Sequence, residues 1–409
     1  MLSPRDDILR PVAEWLQCIA CSRQYDELEV RYTCDVCGGL LSIERDTFID
    51  RNAFDDRRSS LAPIDQSGVW RFREAVVNLD RVITHPEGAT RLYQRDDLFF
   101  KHEGENPTGS FKDRGMTVAV TQAVRVGASA VACASTGNTS ASLAAYAAQA
   151  GLPAIVFVPS GKVASGKLAQ TLAYGAKCLQ VRGDFDDAMR LVREACSSLG
   201  IYLVNSINPF RIEGQKTIIW ELLQDLQWEA PDWIVVPAGN LGNTSAFGKA
   251  LKEALANGWI ARMPRLASIQ AHGANPFFRG FRESFATRHR MAAETIASAI
   301  RIGDPVSWDK AVSAIHDTQG VVEEVTDEEI MAAKRTIDGM GLGCEPASAA
   351  TLAGVRKLRA SGVMKEGERI VCVLTGHILK DPDANYRPEN IVEIDATIEA
   401  VERVLSPES

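Results

Sequence analysis

Strand and helix patterns alternate along most of this chain, and no other feature of the sequence limits its fold as strongly. From residue 112 onward, short apolar runs typical of buried strands are each followed by a longer run with helical character. This alternation predicts an α/β fold in which a parallel sheet is covered by helices on both faces. The loops that leave the carboxyl ends of such strands are the expected place for a functional site.

The individual elements follow from the apolar runs and from the glycines and prolines between them. We expect strands at 98–101, 130–134, 154–158, 176–181, 201–205, 232–237, 265–270 and 370–374, and helices at 116–126, 140–150, 162–174, 185–199 and 395–405. Residues 46–67 are polar and irregular, so we interpret them as a linker with little order of its own.

The length and the charge of the chain exclude several classes of protein. A chain of 409 residues is too long for one simple core and predicts two or three domains. Its net charge of −8 gives no attraction to nucleic acid or to an anionic membrane. No stretch reaches about 18 consecutive apolar residues, and the N-terminus lacks the apolar core of a signal peptide. We therefore expect a cytoplasmic protein, in which cysteines are thiols or metal ligands rather than disulfides.

Four of the nine cysteines form two closely spaced pairs near the N-terminus. Cys18 and Cys21 are one C-x2-C pair, Cys34 and Cys37 are the other, and 12 residues separate them. Two such pairs can surround one tetrahedral zinc ion, with residues 25–32 forming the strands of a zinc ribbon. Four free thiols in a ribbon that has lost its metal are the alternative. Acidic residues offset the few arginines here, so we expect a structural element rather than a nucleic-acid site.

A turn that contains Pro107 and Gly109 places Lys112 at the start of a predicted helix. The positive end of the helix dipole disfavours an ammonium group there and lowers the pKa of the amine. A lowered pKa is what a nucleophilic lysine needs. The sequence therefore favours Lys112 as a reactive amine, and a solvated surface lysine is the alternative.

Two further loops follow predicted strands and precede predicted helices. The first, 135–139, carries four polar side chains where one capping residue would be enough, which favours an anion-binding loop. The second contains Gly239 and Gly242, which let backbone N–H groups converge on a phosphate. It is neither a Walker loop nor the dinucleotide-binding Gly-x-Gly-x-x-Gly pattern.

Taken together, these loops resemble those of the β-family, or fold type II, of pyridoxal-phosphate enzymes, and most of all those members that form threonine. The resemblance covers nearly the whole chain and is carried by residues 70–73, 101–116, 205–211, 299–303 and 375–377. It implies two doubly wound α/β domains, as in the β-subunit of tryptophan synthase, with the cofactor between them and a small zinc-ribbon-like segment before them.

The implied domain boundaries are a ribbon-like segment at 1–45 and a linker at 46–69. A larger domain that binds pyridoxal phosphate comprises 70–120 and 207–409, and a smaller, mobile α/β domain comprises 121–206.

The resemblance also implies a role for each residue of the site. Lys112 forms the Schiff base with pyridoxal phosphate, Asn138 hydrogen-bonds the phenolic oxygen of the cofactor, and Thr375 faces the pyridine nitrogen. The cofactor phosphate lies in a cradle of Gly239, Asn240, Leu241, Gly242 and Asn243. The α-carboxylate of the substrate is bound by Ser135, Thr136 and Thr139, and the substrate phosphate by Asn205, Ser206 and Arg211. Because a hydroxyl is a poor counter-ion for a pyridinium, the ring nitrogen should stay largely unprotonated, which suits elimination and replacement reactions.

The reaction implied by the resemblance converts O-phospho-L-homoserine and water to L-threonine and phosphate. A cysteate synthase acting on O-phosphoserine and a dehydratase acting on free serine or threonine are the enzymatic alternatives. Arg211 disfavours the dehydratase, which needs no second anion site. A zinc-ribbon binding protein with a degenerate enzyme body is the alternative outside enzymes. We expect a homodimer that binds neither nucleic acid nor membrane.

Overall fold

The computed structural model describes residues 14–46, 49–77, 79, 81–160, 165–183, 185–385 and 388–405. Its strands are β1 (Glu14–Cys18), β2 (Gln24–Asp26), β3 (Leu41–Arg45), β4 (Leu92–Arg95), β5 (Leu98–His102), β6 (Ala130–Ala134), β7 (Ala154–Pro159), β8 (Lys177–Val181), β9 (Ile201–Leu203), β10 (Trp233–Pro237), β11 (Arg265–Ala271), β12 (Val321–Val325) and β13 (Ile370–Leu374). Its α-helices are α1 (Asn52–Arg58), α2 (Pro63–Gln66), α3 (Arg73–Val76), α4 (Lys112–Arg125), α5 (Asn138–Ala150), α6 (Ser165–Ala173), α7 (Phe185–Ser198), α8 (Pro209–Gln215), α9 (Thr217–Asp225), α10 (Gly242–Ala256), α11 (Pro276–Arg282), α12 (Trp308–Asp317), α13 (Asp327–Gly339), α14 (Pro346–Ala360) and α15 (Ile398–Leu405).

The strands form two separate α/β sheets and one small antiparallel sheet. The large sheet has the order β12-β11-β10-β13-β5-β4 and is parallel except for β4, which pairs antiparallel with β5 at one edge. The small sheet has the order β8-β7-β6-β9 and is parallel throughout. The N-terminal sheet has the order β2-β1-β3. The loops after β5, β6, β10 and β13 therefore leave the carboxyl ends of their strands.

Both α/β sheets are covered on their two faces, as the apolar strand sequences predict. In β10, Trp233 and Val235 join one buried apolar cluster, whereas Ile234 and Val236 join the other. The same alternation divides β6 of the small sheet between two clusters. Successive side chains of a strand point to opposite faces, so a strand buried on both faces must be apolar at every position.

Most of the predicted strands and helices are confirmed, with ends that differ by a few residues. The strand expected at 201–205 ends at Leu203, because the side chain of Asn205 bonds the backbone of Ala134 in place of a further strand residue. Strand β12 was not predicted, since Glu323 and Glu324 interrupt its apolar run at the edge of the sheet. Residues 162–164 of one predicted helix lie outside the described residues, as does the start of the ribbon-like segment.

The segment expected to be a linker with little order is in fact packed onto the body of the protein. It contains α1 and α2, and the ring of Phe54 in α1 lies 5.2 Å from Trp259 and 5.0 Å from Phe72, centroid to centroid. Phe54 is fully buried. The prediction was wrong because it rested on the polar composition of 46–67. Phe54 orders the segment by burying apolar area.

The N-terminal segment that carries the antiparallel sheet contacts the small sheet on one side and helix α12 on the other. The hydroxyl of Tyr32 accepts a hydrogen bond of 2.7 Å from the backbone N–H of Leu203 in the small sheet. On the other side, Lys310 of α12 donates to the carbonyl of Leu41 at 2.5 Å. The strands lie elsewhere than expected, because only β2 overlaps residues 25–32, while β1 and β3 flank the two cysteine pairs.

A buried ion network lies beneath the turn that precedes α4. Glu221 of α9 accepts hydrogen bonds from Arg114 at 2.7 Å, from Lys101 at 2.8 Å and from Arg71 at 3.0 Å. Glu103 accepts two more from Arg114, at 2.6 and 2.7 Å. All five side chains are buried, and their pairing holds the start of α4 against β5 and α9.

No helix among the described residues combines the length and the apolar character that crossing a bilayer requires.

The network predicts a large stability loss for Glu221→Gln. The change removes the charge that three buried cations share, and breaking such a pairing costs about 3–5 kcal/mol. Urea unfolding at pH 7 measures the loss, and Glu366→Gln on an exposed surface is the matched control. The arginines and Lys101 hold the pKa of Glu221 well below its ordinary value. The stabilisation is therefore present above the pKa of an unfolded glutamate and is lost as the pH falls. A loss below about 1 kcal/mol would contradict the assignment.

Candidate active site

The loops at the carboxyl ends of the two α/β sheets enclose one cleft of about 890 Å³. Its lining includes Lys112, Thr136, Gly137, Asn138, Thr139, Gln170, Ser206, Arg211, Gln215, Gly239, Asn240, Leu241, Gly242, Asn243, Ser298, Arg301, Glu345, Thr375, Lys380 and Asp383, together with further apolar side chains. The cleft thus brings together the predicted lysine, the predicted glycine-rich cradle and most of the predicted anion ligands.

The turn before Lys112 is fixed to the loop that follows β13. Gly109, with φ of +84°, donates to the carbonyl of Asn106 at 2.7 Å and closes the turn. Phe111 then donates to the carbonyl of Thr375 at 3.0 Å, and Ser110 and Gly376 form an antiparallel bridge. These bonds place the first residue of α4 beside Thr375 at the floor of the cleft.

Lys112 has the electrostatic environment of a reactive amine. Burial and the nearby Arg211 guanidinium lower its pKa to about 7, although Glu345 opposes the shift. A lysine with this pKa is substantially uncharged at neutral pH. The direction agrees with the expectation from sequence, but the shift is caused by burial and Arg211 and not by the helix dipole from which it was predicted.

Two glycines set the distance between the helices that carry Lys112 and Arg211. A Cβ atom at Gly214 of α8 would lie 1.8 Å from the carbonyl oxygen of Arg114 in α4. A Cβ atom at Gly115 of α4 would lie 2.9 Å from the carbonyl oxygen of Arg211. The two backbones can cross this closely only without these side chains. The crossing brings the Arg211 guanidinium near enough to Lys112 to lower the pKa of its amine.

Arg211 is a buried cation without a carboxylate partner in the part of the chain that the structure describes. It is 2% exposed, it donates from Nη1 to the carbonyl of Val204 at 3.1 Å, and its Nε has no hydrogen-bond partner. Among the described residues no ion pair joins it to an aspartate or a glutamate, and burial lowers its pKa to about 10. A buried charge without a partner is costly, so this guanidinium is suited to an anionic ligand in the cleft.

The loop of Gly239 to Asn243 has the features of a phosphate cradle. It follows β10 and leads into α10, a helix of 15 residues whose first N–H groups lack helical partners. Leu241 has a left-handed backbone, with φ of 64°. A Cβ at Gly239 would lie 3.0 Å from the Cα of Ile300, so the loop has no room for a side chain there. With Lys112, Asn138 and Thr375 in the same cleft, these residues fit a phosphate-bearing aldehyde cofactor such as pyridoxal phosphate.

Two residues of the predicted substrate site do not line the cleft. Ser135 accepts a hydrogen bond of 3.3 Å from the backbone N–H of Gly137, a local turn contact that precedes α5 and does not cap it. Asn205 bonds both backbone groups of Ala134, each at 3.0 Å. Their neighbours Thr136, Thr139 and Ser206 do line it. Asn205 therefore fixes the end of the small sheet and leaves the following residue to face the cleft.

Several cleft residues escaped the prediction from sequence, among them Glu345, Lys380 and Gln215. Glu345 accepts a hydrogen bond of 3.1 Å from the side-chain amide of Asn138, and burial raises the pKa of its carboxyl group. Lys380 donates to Gln170 at 2.7 Å, and Gln215 lines the same cleft from α8. Each comes from a segment without a strand-loop-helix signal; only Pro346, directly after Glu345, hinted at a helix start there.

The four N-terminal cysteines form a cluster suited to a metal ion. Their sulfur atoms all lie within 4.8 Å of one another. The sulfurs of Cys18 and Cys37 are 3.4 Å apart, and those of Cys21 and Cys34 are 3.6 Å apart. A disulfide would bring two sulfurs to about 2.05 Å. Tetrahedral zinc with Zn–S bonds of about 2.3 Å needs separations near 3.8 Å, so the cluster is consistent with a zinc ribbon.

Comparisons with known proteins agree with this geometry. The family model described as "Pyridoxal-phosphate dependent enzyme" matches residues 82–376. The threonine synthases of Methanocaldococcus jannaschii and Methanosarcina acetivorans are each 46% identical to this chain, over 95% of it and 98% of their own length. The solved structure of threonine synthase from Escherichia coli covers 97% of this chain and 95% of its own, with a TM-score of 0.72 and 18% identity. That structure confirms the predicted α/β fold.

The environment of Lys112 predicts an amine that titrates near neutrality. In protein freed of cofactor, labelling of Lys112 by an amine reagent should increase with pH around a midpoint of about 7, because only the uncharged amine reacts. Peptide mass spectrometry measures the labelled fraction. The exposed Lys365 serves as the internal control. Equal midpoints for the two lysines would contradict the assignment.

The cysteine cluster predicts about one zinc ion per chain. Metal analysis of the purified protein should find it, and Cys34→Ser should lose most of it, since one of four thiolates is removed. Cys178→Ser, outside the cluster, is the control. If the Cys34→Ser protein holds as much zinc as the wild type, the cluster is not a zinc site.

Proposed function

The chain belongs to the family of pyridoxal-phosphate dependent enzymes and, within it, to the threonine synthases, and from this premise we propose that its substrate is O-phospho-L-homoserine. Water and this substrate give L-threonine and inorganic phosphate. One observation carries the proposal: the cleft offers two separate anion sites beside one lysine, namely the cradle of 239–243 and the unpaired guanidinium of Arg211. A cofactor phosphate and a substrate phosphate need two such sites.

The cofactor contacts that we propose follow from the lining of the cleft. Lys112 would hold pyridoxal phosphate covalently, Asn138 and Thr375 would contact its ring, and the 239–243 loop would hold its phosphate. When bound, this cofactor supplies an aldehyde that reacts with an amine and a ring that accepts electrons from the substrate.

Lys112 would move the protons of the reaction. With a pKa of about 7, the amine can take a proton near neutral pH and give it up again. We assign it the removal of a proton from Cα and then from Cβ of the substrate, and the return of protons in the later steps. Arg211 favours the uncharged amine, and so it helps Lys112 to act first as a base.

The start of α5 would bind the α-carboxylate of the substrate. Thr136 and Thr139 line the cleft on either side of Asn138, where the first N–H groups of the helix lack backbone partners. Ser135, which the sequence also suggested, has its hydroxyl bonded to Gly137 and is proposed here only as a support of this loop.

Arg211 and Ser206 would bind the phosphate of the substrate. A guanidinium can bind two phosphate oxygens at once, and burial strengthens such a contact. Held there, the phosphate leaves from Cγ, which becomes the methyl group of threonine, and water adds its oxygen to Cβ. Asn205 would act through the loop that it anchors rather than by contact with the phosphate.

We also propose the division into a larger domain at 70–120 and 207–409 and a smaller one at 121–206. All strands of the large sheet fall in the first, and all strands of the small sheet fall in the second. The homodimer and the cytoplasmic location stay predictions.

A phosphate-release assay with O-phospho-L-homoserine, in which threonine is identified as the product, tests the proposed function. Turnover of O-phosphoserine with sulfite, and none of O-phospho-L-homoserine, would replace it by a cysteate synthase activity. Release of ammonia from free threonine would favour a dehydratase.

Arg211→Gln should lower kcat/KM for O-phospho-L-homoserine about 10- to 100-fold, because a charge-assisted contact with phosphate is lost. Inhibition by inorganic phosphate should weaken in parallel. The same change should raise the midpoint of Lys112 labelling, since Arg211 lowers the pKa of that amine. Arg193→Gln, on the exposed face of α7, is the control. Unchanged inhibition by phosphate in the Arg211→Gln protein would remove this residue from the substrate site.

A further inference from the structure

Glu345 is a buried carboxylate in the cleft to which the proposed reaction assigns no role. It stands directly before α14 and is 4% exposed. Its backbone N–H donates to the carbonyl of Gly376 at 3.1 Å, which ties it to the loop after β13. A Cβ atom at Gly376 would lie 2.4 Å from its carboxyl carbon. The carboxylate therefore packs directly against the backbone of Gly376.

The two oxygens of this carboxylate contact the two side chains that would face the cofactor ring. Asn138, at the start of α5 in the small-sheet region, donates from Nδ2 to Oε2 at 3.1 Å. Thr375, after β13 of the large sheet, donates from Oγ1 to Oε1 at 3.4 Å. One side chain therefore joins loops that belong to different sheets.

The first contact fixes which way the amide of Asn138 points. A carboxylate oxygen accepts this hydrogen bond, so the NH2 end of the amide faces Glu345. This end carries two hydrogens, and one of them remains for an acceptor in the cleft. The phenolic oxygen of the cofactor is such an acceptor. Without Glu345, the amide could turn its oxygen toward the same place.

The second contact involves the single proton of the Thr375 hydroxyl. Ser348 accepts a hydrogen bond from the N–H of Gly376 at 3.0 Å, and its own hydroxyl lies 3.1 Å from that of Thr375. If Ser348 donates to Thr375, the Thr375 proton is left for either Glu345 or a group in the cleft. The carboxylate and the ring nitrogen then compete for one proton.

We propose that Glu345 is a positioning residue that orients the Asn138 amide and the Thr375 hydroxyl toward the cofactor ring. This inference rests on the proposed function, because the cofactor contacts of both side chains do. Glu345 acts through these two residues, and no contact between its own carboxylate and the substrate is part of the proposal. Its consequence is that the electronic state of the bound cofactor depends on this carboxylate.

The visible spectrum of the protein loaded with pyridoxal phosphate tests the proposal. Glu345→Gln keeps the shape of the side chain, and its amide can accept from Asn138 and donate to Thr375. The Thr375 hydroxyl can then donate its proton only toward the cleft. This changes the hydrogen bonding of the cofactor ring, so the visible absorption band should shift. Glu345→Ala removes both contacts and should weaken cofactor binding about 10-fold or more, measured by fluorescence titration. Glu366→Gln removes an exposed carboxylate and should change neither quantity.

Several results would overturn the proposal. If Glu345→Gln lowers thermal stability but leaves the band unchanged, Glu345 is only a structural residue. If Glu345→Ala does not fold, the spectrum of Glu345→Gln decides alone. A wild-type chain that takes up no cofactor overturns this inference and the proposed function together. If the wild-type chain binds the cofactor but neither variant changes the absorption band or the affinity for the cofactor, this inference alone is overturned.

Discussion

The cleft depends on two basic side chains, Lys112 and Arg211, for which the described residues provide no ion pair with a carboxylate. Lys112 and Arg211 face the same space, and the close crossing of α4 and α8 at Gly115 and Gly214 keeps them there. Burying charge in this way is unfavourable unless an opposite charge arrives. Lys112 can lose its proton near neutral pH, which removes the free-energy cost of its charge. Arg211 stays charged, so its charge is compensated only when an anion binds. The same arrangement thus supplies a base and an anion site.

The charged side chains beneath the cleft, by contrast, are paired with carboxylates. Arg114, two residues along α4 from Lys112, is fully buried, but its Nε and Nη2 donate hydrogen bonds to Glu103 and Glu221. The paired charges of this network hold α4 in position, whereas Lys112 at its start and Arg211 on α8 remain available to bind a ligand. Pairing with a carboxylate therefore distinguishes the side chains that hold the fold from those that form the site. Burial distinguishes them less clearly.

Sequence reasoning located the parts of the site that follow strands and missed those that do not. The 239–243 loop and Thr375 come directly after predicted strands, and Lys112 follows the turn after the strand predicted at 98–101. Parallel strands bring their carboxyl ends to one edge. Glu345 reaches the cleft only because α14 packs on the large sheet, which no local pattern encodes. Asn205 carries the right chemistry in the right loop, yet its amide completes the hydrogen bonding of β6 instead. A polar side chain near the end of a strand can bond the backbone or face the cleft, and the exact end of the strand decides which. Hydrophobic periodicity predicts the ends of strands less precisely than it predicts the strands themselves.

The site also depends on how the two sheets are held relative to each other. Asn138 and Gln170 come from the small-sheet region, and Glu345 and Lys380, their hydrogen-bond partners, come from the large-sheet region. The N-terminal antiparallel sheet adds a third link, because it bonds Leu203 on one side and Lys310 on the other. A rotation of one sheet against the other would therefore break polar contacts inside the cleft and at the ribbon together. Since the Asn138 amide is oriented by a carboxylate from the opposite sheet, the donor offered to the cofactor is complete only when the two sheets have this relative position.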